Sequence, residues 1–159
     1  MIIGIDSGRK GAIGYIFDNG EYFSVIDMPN RVKSALFVKK RYDATSVFIE
    51  KVMPFRGASP KSILTMGMYY ERALMIAEIL AEYSINKCQI YEVYPKNRNK
   101  DNDLPGWKKY LGLDKDKTKS IMMAKAIWPD APIEKKHDGR AEALLIAEYG
   151  RQIMAERGL

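Results

Sequence analysis

Residues 1–8 read MIIGIDSG, an apolar run of strand-forming residues that ends at Asp6 and a turn-forming Ser-Gly pair. Two more runs, residues 12–17 and 21–28, have the composition of strands. Residues 18–20 between them are Asp-Asn-Gly, a hairpin signal, because Asn and Gly tolerate the positive φ of tight turns. The sequence therefore predicts three consecutive antiparallel strands.

The rest of the chain alternates between helical and strand patterns. Ser59-Pro60 marks a helix start, with Ser as N-cap and Pro at the first helical position. Residues 94–117 are basic and polar, and are expected to be loop, in part mobile. The predicted elements are a helix at 31–41, a strand at 46–50, a helix at 59–83, a strand at 88–93, and helices at 119–127 and 138–157. This order predicts a single α/β domain over residues 1–159, a mixed sheet of three antiparallel and then parallel strands flanked by helices.

The composition narrows the classes of function. Lys and Arg number 26 against 20 Asp and Glu, a net charge of +6, which favours polyanionic partners such as nucleic acids. A single cysteine, Cys88, and a single histidine, His137, exclude a disulfide framework and a thiolate zinc site. No leader pattern occurs and no apolar run approaches the ~20 residues that span a bilayer, so we expect a cytoplasmic protein without a membrane partner.

Four carboxylates stand at unusual positions. Asp6 and Glu50 each end an apolar strand, where a charge faces desolvation. Asp138 and Glu142 are four apart and share one face of the last predicted helix. If the first and fourth strands are neighbours, all four acids can meet at one end of the sheet.

Four converging carboxylates repel one another unless cations or raised pKa values offset the charge. Oxygen ligands select hard ions, so the predicted cofactor is Mg²⁺, two ions per site, with Mn²⁺ as a substitute. Two such ions suit phosphodiester hydrolysis: one lowers the pKa of the attacking water and the other stabilises the departing 3′ oxygen. The predicted products carry 5′-phosphate and 3′-hydroxyl ends.

The two strand acids also have simpler interpretations. Asp6 could serve only the turn at Ser7-Gly8, and Glu50 could pair with Lys51 or Arg56 at the end of its strand.

The two helix acids have simpler interpretations as well. Asp138 could be only an N-cap, and Glu142 could pair with Lys135, Lys136 or Arg140.

At these acids the sequence resembles a known family. The matching stretches are Ile3-Gly4-Ile5-Asp6-Ser7-Gly8, then Val47-Phe48-Ile49-Glu50-Lys51-Val52, and Lys136-His137-Asp138-Gly139-Arg140-Ala141-Glu142-Ala143-Leu144-Leu145-Ile146-Ala147. They resemble the RuvC-like Holliday junction resolvases of the RNase H-like superfamily, in particular the compact bacteriophage type. The resemblance implies an RNase H-like fold, a homodimer, and paired symmetric nicks in four-way DNA junctions.

The resemblance also implies roles for the acids. Asp6 would bridge both metals, Glu50 would bind mainly one, and Asp138 and Glu142 would complete the other. Bacterial members usually carry Asp where this chain has Glu142, and their two helix acids are commonly three apart. His137 is therefore a further candidate for a chemical or phosphate-contacting role.

Several residues are candidates for contact with DNA. Phe55 could stack on an unpaired base and Arg56 could hold a phosphate, although Phe55 could instead cap the core. The basic stretch that includes Trp107-Lys108-Lys109 resembles one found in the family. Its acidic residues leave a merely solvated loop as the alternative. The predicted DNA-binding residues are Phe55, Arg56, Lys96, Arg98, Lys108, Lys109, Lys117, Lys119, Lys136 and His137.

The apolar surface of the long helix is wider than one buried face, which suggests pairing with a second copy across a two-fold axis, or else packing within the chain. The function predicted overall is a structure-specific endodeoxyribonuclease for Holliday junctions and other branched DNA. The rival hypotheses are a catalytically silent branched-DNA-binding protein and an actin-like nucleotide-binding protein.

Overall fold

The computed structural model describes residues 1–17, 19–29, 44–84, 88–97 and 102–158. The helix predicted over 31–41 lies outside these ranges, as does Arg98.

The described strands form one five-stranded sheet in the order β3-β2-β1-β4-β5. β1 pairs antiparallel with β2, and β2 with β3, whereas β4 runs parallel to both β1 and β5. The strands are β1 (Ile2–Asp6), β2 (Ala12–Ile16), β3 (Phe23–Asp27), β4 (Ser46–Glu50) and β5 (Gln89–Val93). The predicted mixed sheet is confirmed, and so is the side-by-side placement of the first and fourth strands.

Four helices are described: α1 (Pro60–Glu82), α2 (Trp107–Tyr110), α3 (Lys117–Ile127) and α4 (Asp138–Arg157). The N-cap of α1 is Ser59, as predicted, and its hydroxyl accepts a hydrogen bond from the Ser62 N–H at 3.2 Å. The short α2 was not predicted. It lies inside the segment expected to be loop.

The sheet is covered by helices on both faces. Alternate residues of β1 point to opposite sides, so Ile2 packs with Phe48 and α4, whereas Ile3 and Ile5 pack with the buried side of α1. Gly4 brings α4 against the sheet backbone, because a Cβ at this position would lie 2.2 Å from the carbonyl oxygen of Ala143. The start of α4 is thereby held close to the carboxyl end of β1.

In the described ranges no helix combines the length and the apolar character needed to cross a bilayer.

Candidate active site

Two of the four acids lie at the carboxyl ends of neighbouring parallel strands. Ile5 pairs with Ile49, so Asp6 and Glu50, the next residues, emerge at the same edge of the sheet. The Ser7 hydroxyl donates to the backbone oxygen of Glu50 at 2.8 Å and ties the two strand ends together. Asp6 is only 8% exposed.

The start of α4 supplies the other two acids. Asp138 is the first residue of α4, and Glu142, one turn later, is 5% exposed. Gly139 allows this close approach, since a Cβ there would lie 2.0 Å from the Lys10 carbonyl oxygen. It would also lie 2.9 Å from an oxygen of Asp6. The helix acids and the strand acids therefore converge.

Two lysines neutralise the helix acids. Lys108 Nζ lies 2.5 Å from Glu142 Oε1 in a pair that is nearly closed to solvent, with side chains 10% and 7% exposed. The Ser120 hydroxyl donates to the same carboxylate oxygen at 3.3 Å. Lys117 pairs with Asp138 in a more open arrangement.

Glu50 is held by an aromatic side chain. Trp107, which is fully buried at the start of α2, donates its indole N–H to Glu50 Oε2 at 2.7 Å. This hydrogen bond fixes one carboxylate oxygen. Sequence reasoning missed the contact.

Burial and mutual repulsion raise the pKa values of the two strand acids, Asp6 and Glu50. Burial, reinforced by the charge of Glu142, raises the pKa of Asp6 to about 7. Burial and then the charge of Asp6 raise the pKa of Glu50 to about 8, against the opposing influence of Lys108 and Trp107. The two lysines therefore do not fully offset the burial and mutual repulsion of Asp6 and Glu50.

The simpler interpretations of the strand acids were a turn role for Asp6 and an ion pair with Lys51 or Arg56 for Glu50. Asp6 Oδ1 does accept the Gly8 N–H at 2.9 Å, so this residue serves the turn as well as the cluster. Lys51 pairs with Glu92 at 2.6 Å.

For the helix acids the simpler interpretations are not what the structure shows. The N-cap of α4 is His137, not Asp138, and it makes no side-chain cap hydrogen bond. Glu142 pairs with Lys108, whereas Arg140 donates to Asp27 at 2.6 and 2.8 Å.

All four acids line one cavity of about 880 Å³, together with Lys108 and Lys117. We call it the acidic pocket.

The sequence matches no protein-family model, and no curated protein matches it. Solved structures do match over almost the whole chain. Thermus thermophilus RuvC in complex with a Holliday junction substrate superposes with a TM-score of 0.59 at 18% identity, over 99% of this chain and 96% of that one. A second T. thermophilus RuvC structure superposes with a TM-score of 0.54 at 16% identity, over 99% of this chain and 96% of that one. This chain has the RuvC-like fold.

A more distant match supports the same fold. Ydc2, the yeast mitochondrial Holliday junction resolvase, gives a TM-score of 0.50 at 14% identity over 98% of this chain and 79% of that one. The RNase H-like fold expected from the sequence is confirmed.

Within the RuvC-like fold, the oxygen donors of the acidic pocket fit hard divalent ions. In the described part of the chain, however, no three Asp, Glu, His or Cys side chains are already arranged to hold one metal ion. The lysine contacts give the physical reason, because ammonium groups occupy oxygens of Glu142 and Asp138. A metal ion bound through these same two oxygens would displace the lysines from them.

The described residues predicted to contact DNA divide into three groups, of which the first is exposed. Phe55 is 63% exposed and does not cap the core, and Arg56, Lys96 and Lys109 are also exposed. Lys119 is exposed as well and pairs with Asp114 at 2.6 Å.

Two lysines predicted to lie with this surface group belong to the acidic pocket. Lys108 is buried against Glu142, which corrects its expected surface position, and Lys117 pairs with Asp138. Lys136 and His137 border a neighbouring cavity.

Proposed function

We propose that this chain is a divalent-metal-dependent endodeoxyribonuclease that cuts four-way junctions and other branched DNA. The observation that carries the proposal is the acidic pocket, in which carboxylates from β1, β4 and α4 meet at one edge of a RuvC-like fold. The raised pKa values of Asp6 and Glu50 support the proposal, because perturbed carboxylates in a cavity are typical of functional sites.

The residues of the acidic pocket would have separate roles in the reaction. Asp6, Glu50, Asp138 and Glu142 would hold the ions, two Mg²⁺ or Mn²⁺ when fully loaded. When bound, these ions supply an activated water and charge stabilisation at the departing oxygen. Trp107 would orient Glu50 through its indole hydrogen bond. The cut strands would carry 5′-phosphate and 3′-hydroxyl ends.

Lys108 and Lys117 act as replaceable counter-ions in this proposal. They keep the acidic pocket folded without metal, because four carboxylates without cations would repel one another. Once released from Glu142 and Asp138, their ammonium groups remain beside the pocket, where they can contact a phosphate.

The surface residues would bind the DNA. Phe55 and Arg56 stand exposed in the loop after β4, close in sequence to Glu50, and suit base stacking and phosphate contact. Lys96, Lys109 and Lys119 would add phosphate contacts, and we include Arg98 on sequence grounds.

We further propose that residues 1–159 form one cytoplasmic domain, of bacteriophage type, that acts as a homodimer. Two-fold symmetry would place two acidic pockets on opposite strands of a four-way junction. The exposed apolar face of α1 supports a dimer, since Leu64 and Met68 are 67% and 66% exposed.

The experiment that tests the function compares a labelled four-way junction with linear duplex, with and without Mg²⁺, and maps the nicks. We expect Mg²⁺-dependent, symmetric nicks in the junction that DNA ligase can reseal. Asp6→Asn and Glu50→Gln should abolish nicking while junction binding persists. Asp130→Asn, at an exposed aspartate outside the acidic pocket, is the matched control and should nick normally.

The same experiment separates the rivals. Junction binding without any nicking would favour a silent DNA-binding protein. Retained nicking by purified Asp6→Asn would contradict the assignment of the acidic pocket. Nucleotide binding in calorimetry, without DNA binding, would favour the actin-like alternative.

A further inference from the structure

A second cavity, of about 330 Å³, lies beside the acidic pocket. Arg9 and Lys10, in the turn between β1 and β2, line both cavities. The two sites therefore share a wall, and a chain-like ligand can pass from one to the other across this turn.

The second cavity, which we call the basic pocket, is rich in positive charge. Its cationic lining residues are Arg9, Lys10, Arg72, Lys136 and Arg140. Asp27 is the carboxylate among the described lining residues, and Arg140 holds it through two hydrogen bonds. Asp27 therefore offsets Arg140, and Glu134 pairs with Lys136 at 3.2 Å. The remaining cations, Arg9, Lys10 and Arg72, keep the pocket attractive to an anion.

Two residues that line the basic pocket, Arg72 and His137, carry N–H donors that an anion could use. Arg72 Nε is buried and has no hydrogen-bond partner in the described part of the chain, while its guanidinium lies 5.2 Å from the ring centre of Tyr69. A buried donor without an acceptor is unfavourable unless a ligand supplies one. His137 accepts the Glu134 N–H on Nδ1 at 3.1 Å, so the neutral ring carries its proton on Nε2 as a further donor.

We propose that the basic pocket binds a backbone phosphate of the DNA strand that is cut in the acidic pocket. This inference rests on the proposed function. A DNA strand carries a phosphate about every 3.4 Å of helix axis, so a strand leaving the acidic pocket over Arg9 and Lys10 must place phosphates near the second cavity. The planar guanidinium of Arg72 suits a phosphate's paired oxygens.

The test measures binding of a labelled four-way junction by fluorescence anisotropy at several salt concentrations, with EDTA present so that no strand is cut. We compare Arg72→Gln and Lys136→Ala with Lys125→Ala, an exposed α3 lysine that lines neither pocket. Arg72→Gln and Lys136→Ala should each weaken binding about 10-fold and lower the salt slope by about 1. Lys125→Ala should change neither. The Lys136 side chain is 69% exposed, so its replacement tests the pocket without disturbing the core.

A second arm separates a DNA phosphate from a free anion. The chain has one histidine, so the NMR signals of a single imidazole ring report on the basic pocket during titration with inorganic phosphate. If phosphate moves the His137 signal but both variants bind the junction like wild type, the pocket is a free-anion site and the inference is wrong. Unchanged affinity and slope with no phosphate response would overturn it as well.

Failure of the nuclease proposal would look different. If the variants weaken junction binding as expected but the wild type makes no nicks in Mg²⁺, the basic pocket stands and the proposed reaction fails. A wild-type protein that binds no DNA would remove both.

Discussion

Replacing Asp6 with Asn should make the metal-free protein more stable, and more so at high pH than at low pH. The folded protein raises the pKa of Asp6 to about 7, from an ordinary value of 3.8, chiefly by burial. A raised pKa means that the folded state favours the neutral acid. Wild-type stability therefore falls as the pH rises from 3.8 through 7.

The size of the effect follows from the pKa difference. At about 1.4 kcal/mol per pKa unit, the raised pKa of Asp6 destabilises the fold by up to about 4 kcal/mol at about pH 8, where the folded side chain is ionised. At about pH 5 the cost is about 2 kcal/mol, because the side chain must take up a proton on folding. Asn keeps an oxygen that can accept the Gly8 N–H, so the turn is retained. These values are upper limits, because Glu142 and Lys117 adjust when the charge is removed.

The assay is denaturant unfolding in EDTA at the two pH values, with Asp130→Asn, at an exposed aspartate, as the control. Asp6→Asn should gain about 2 kcal/mol more at the higher pH, whereas the control should show no such difference. Added Mg²⁺ should stabilise the wild type at the higher pH and have little effect on Asp6→Asn. The reasoning is refuted if Asp6→Asn is no more stable than wild type at about pH 8, or if its gain is the same at both values.

Further predictions concern the counter-ion, the packing and the assembly. Lys108→Met leaves the carboxylate of Glu142 buried without its cation and should lower the unfolding free energy by about 3 kcal/mol in EDTA, an effect that Mg²⁺ partly reverses in calorimetry. Gly4→Ala should destabilise the protein by at least about 2 kcal/mol in denaturant unfolding, because its Cβ would lie 2.2 Å from the α4 backbone. Gly67→Ala, in the middle of α1 with open space around it, should instead stabilise by about 0.5–1 kcal/mol. In sedimentation the wild type should be a dimer and Leu64→Glu a monomer; a wild-type monomer at micromolar concentration would exclude the dimer.

The acids could be found from the sequence because their signals are local. A carboxylate that ends an apolar strand, as at Asp6 and Glu50, faces an evident desolvation cost. Asp138 and Glu142 were placed on one face by helical spacing alone, and α4 has the predicted bounds.

The counter-ions and the orienting indole were missed because they depend on contacts between distant residues. Trp107 reaches Glu50 across 57 positions, and Lys108 reaches Glu142 across 34. The basic, polar composition around Trp107 and Lys108 is typical of a surface loop, so the short α2 was not predicted. The remaining signal was the apolar spacing of Trp107, Tyr110 and Leu111, three and four residues apart, which predicts a buried helical face.

The central claim is that the four carboxylates of the acidic pocket form one divalent-ion centre. Its most direct test is anomalous diffraction from crystals soaked in Mn²⁺, recorded for the wild type and for Asp6→Asn. We predict Mn²⁺ peaks beside Asp6 and Glu50 in the wild type, with Lys108 and Lys117 moved away from their carboxylates, and loss of the peaks in Asp6→Asn. A wild-type pocket that holds no Mn²⁺ and keeps both lysine pairs at saturating metal would contradict the account.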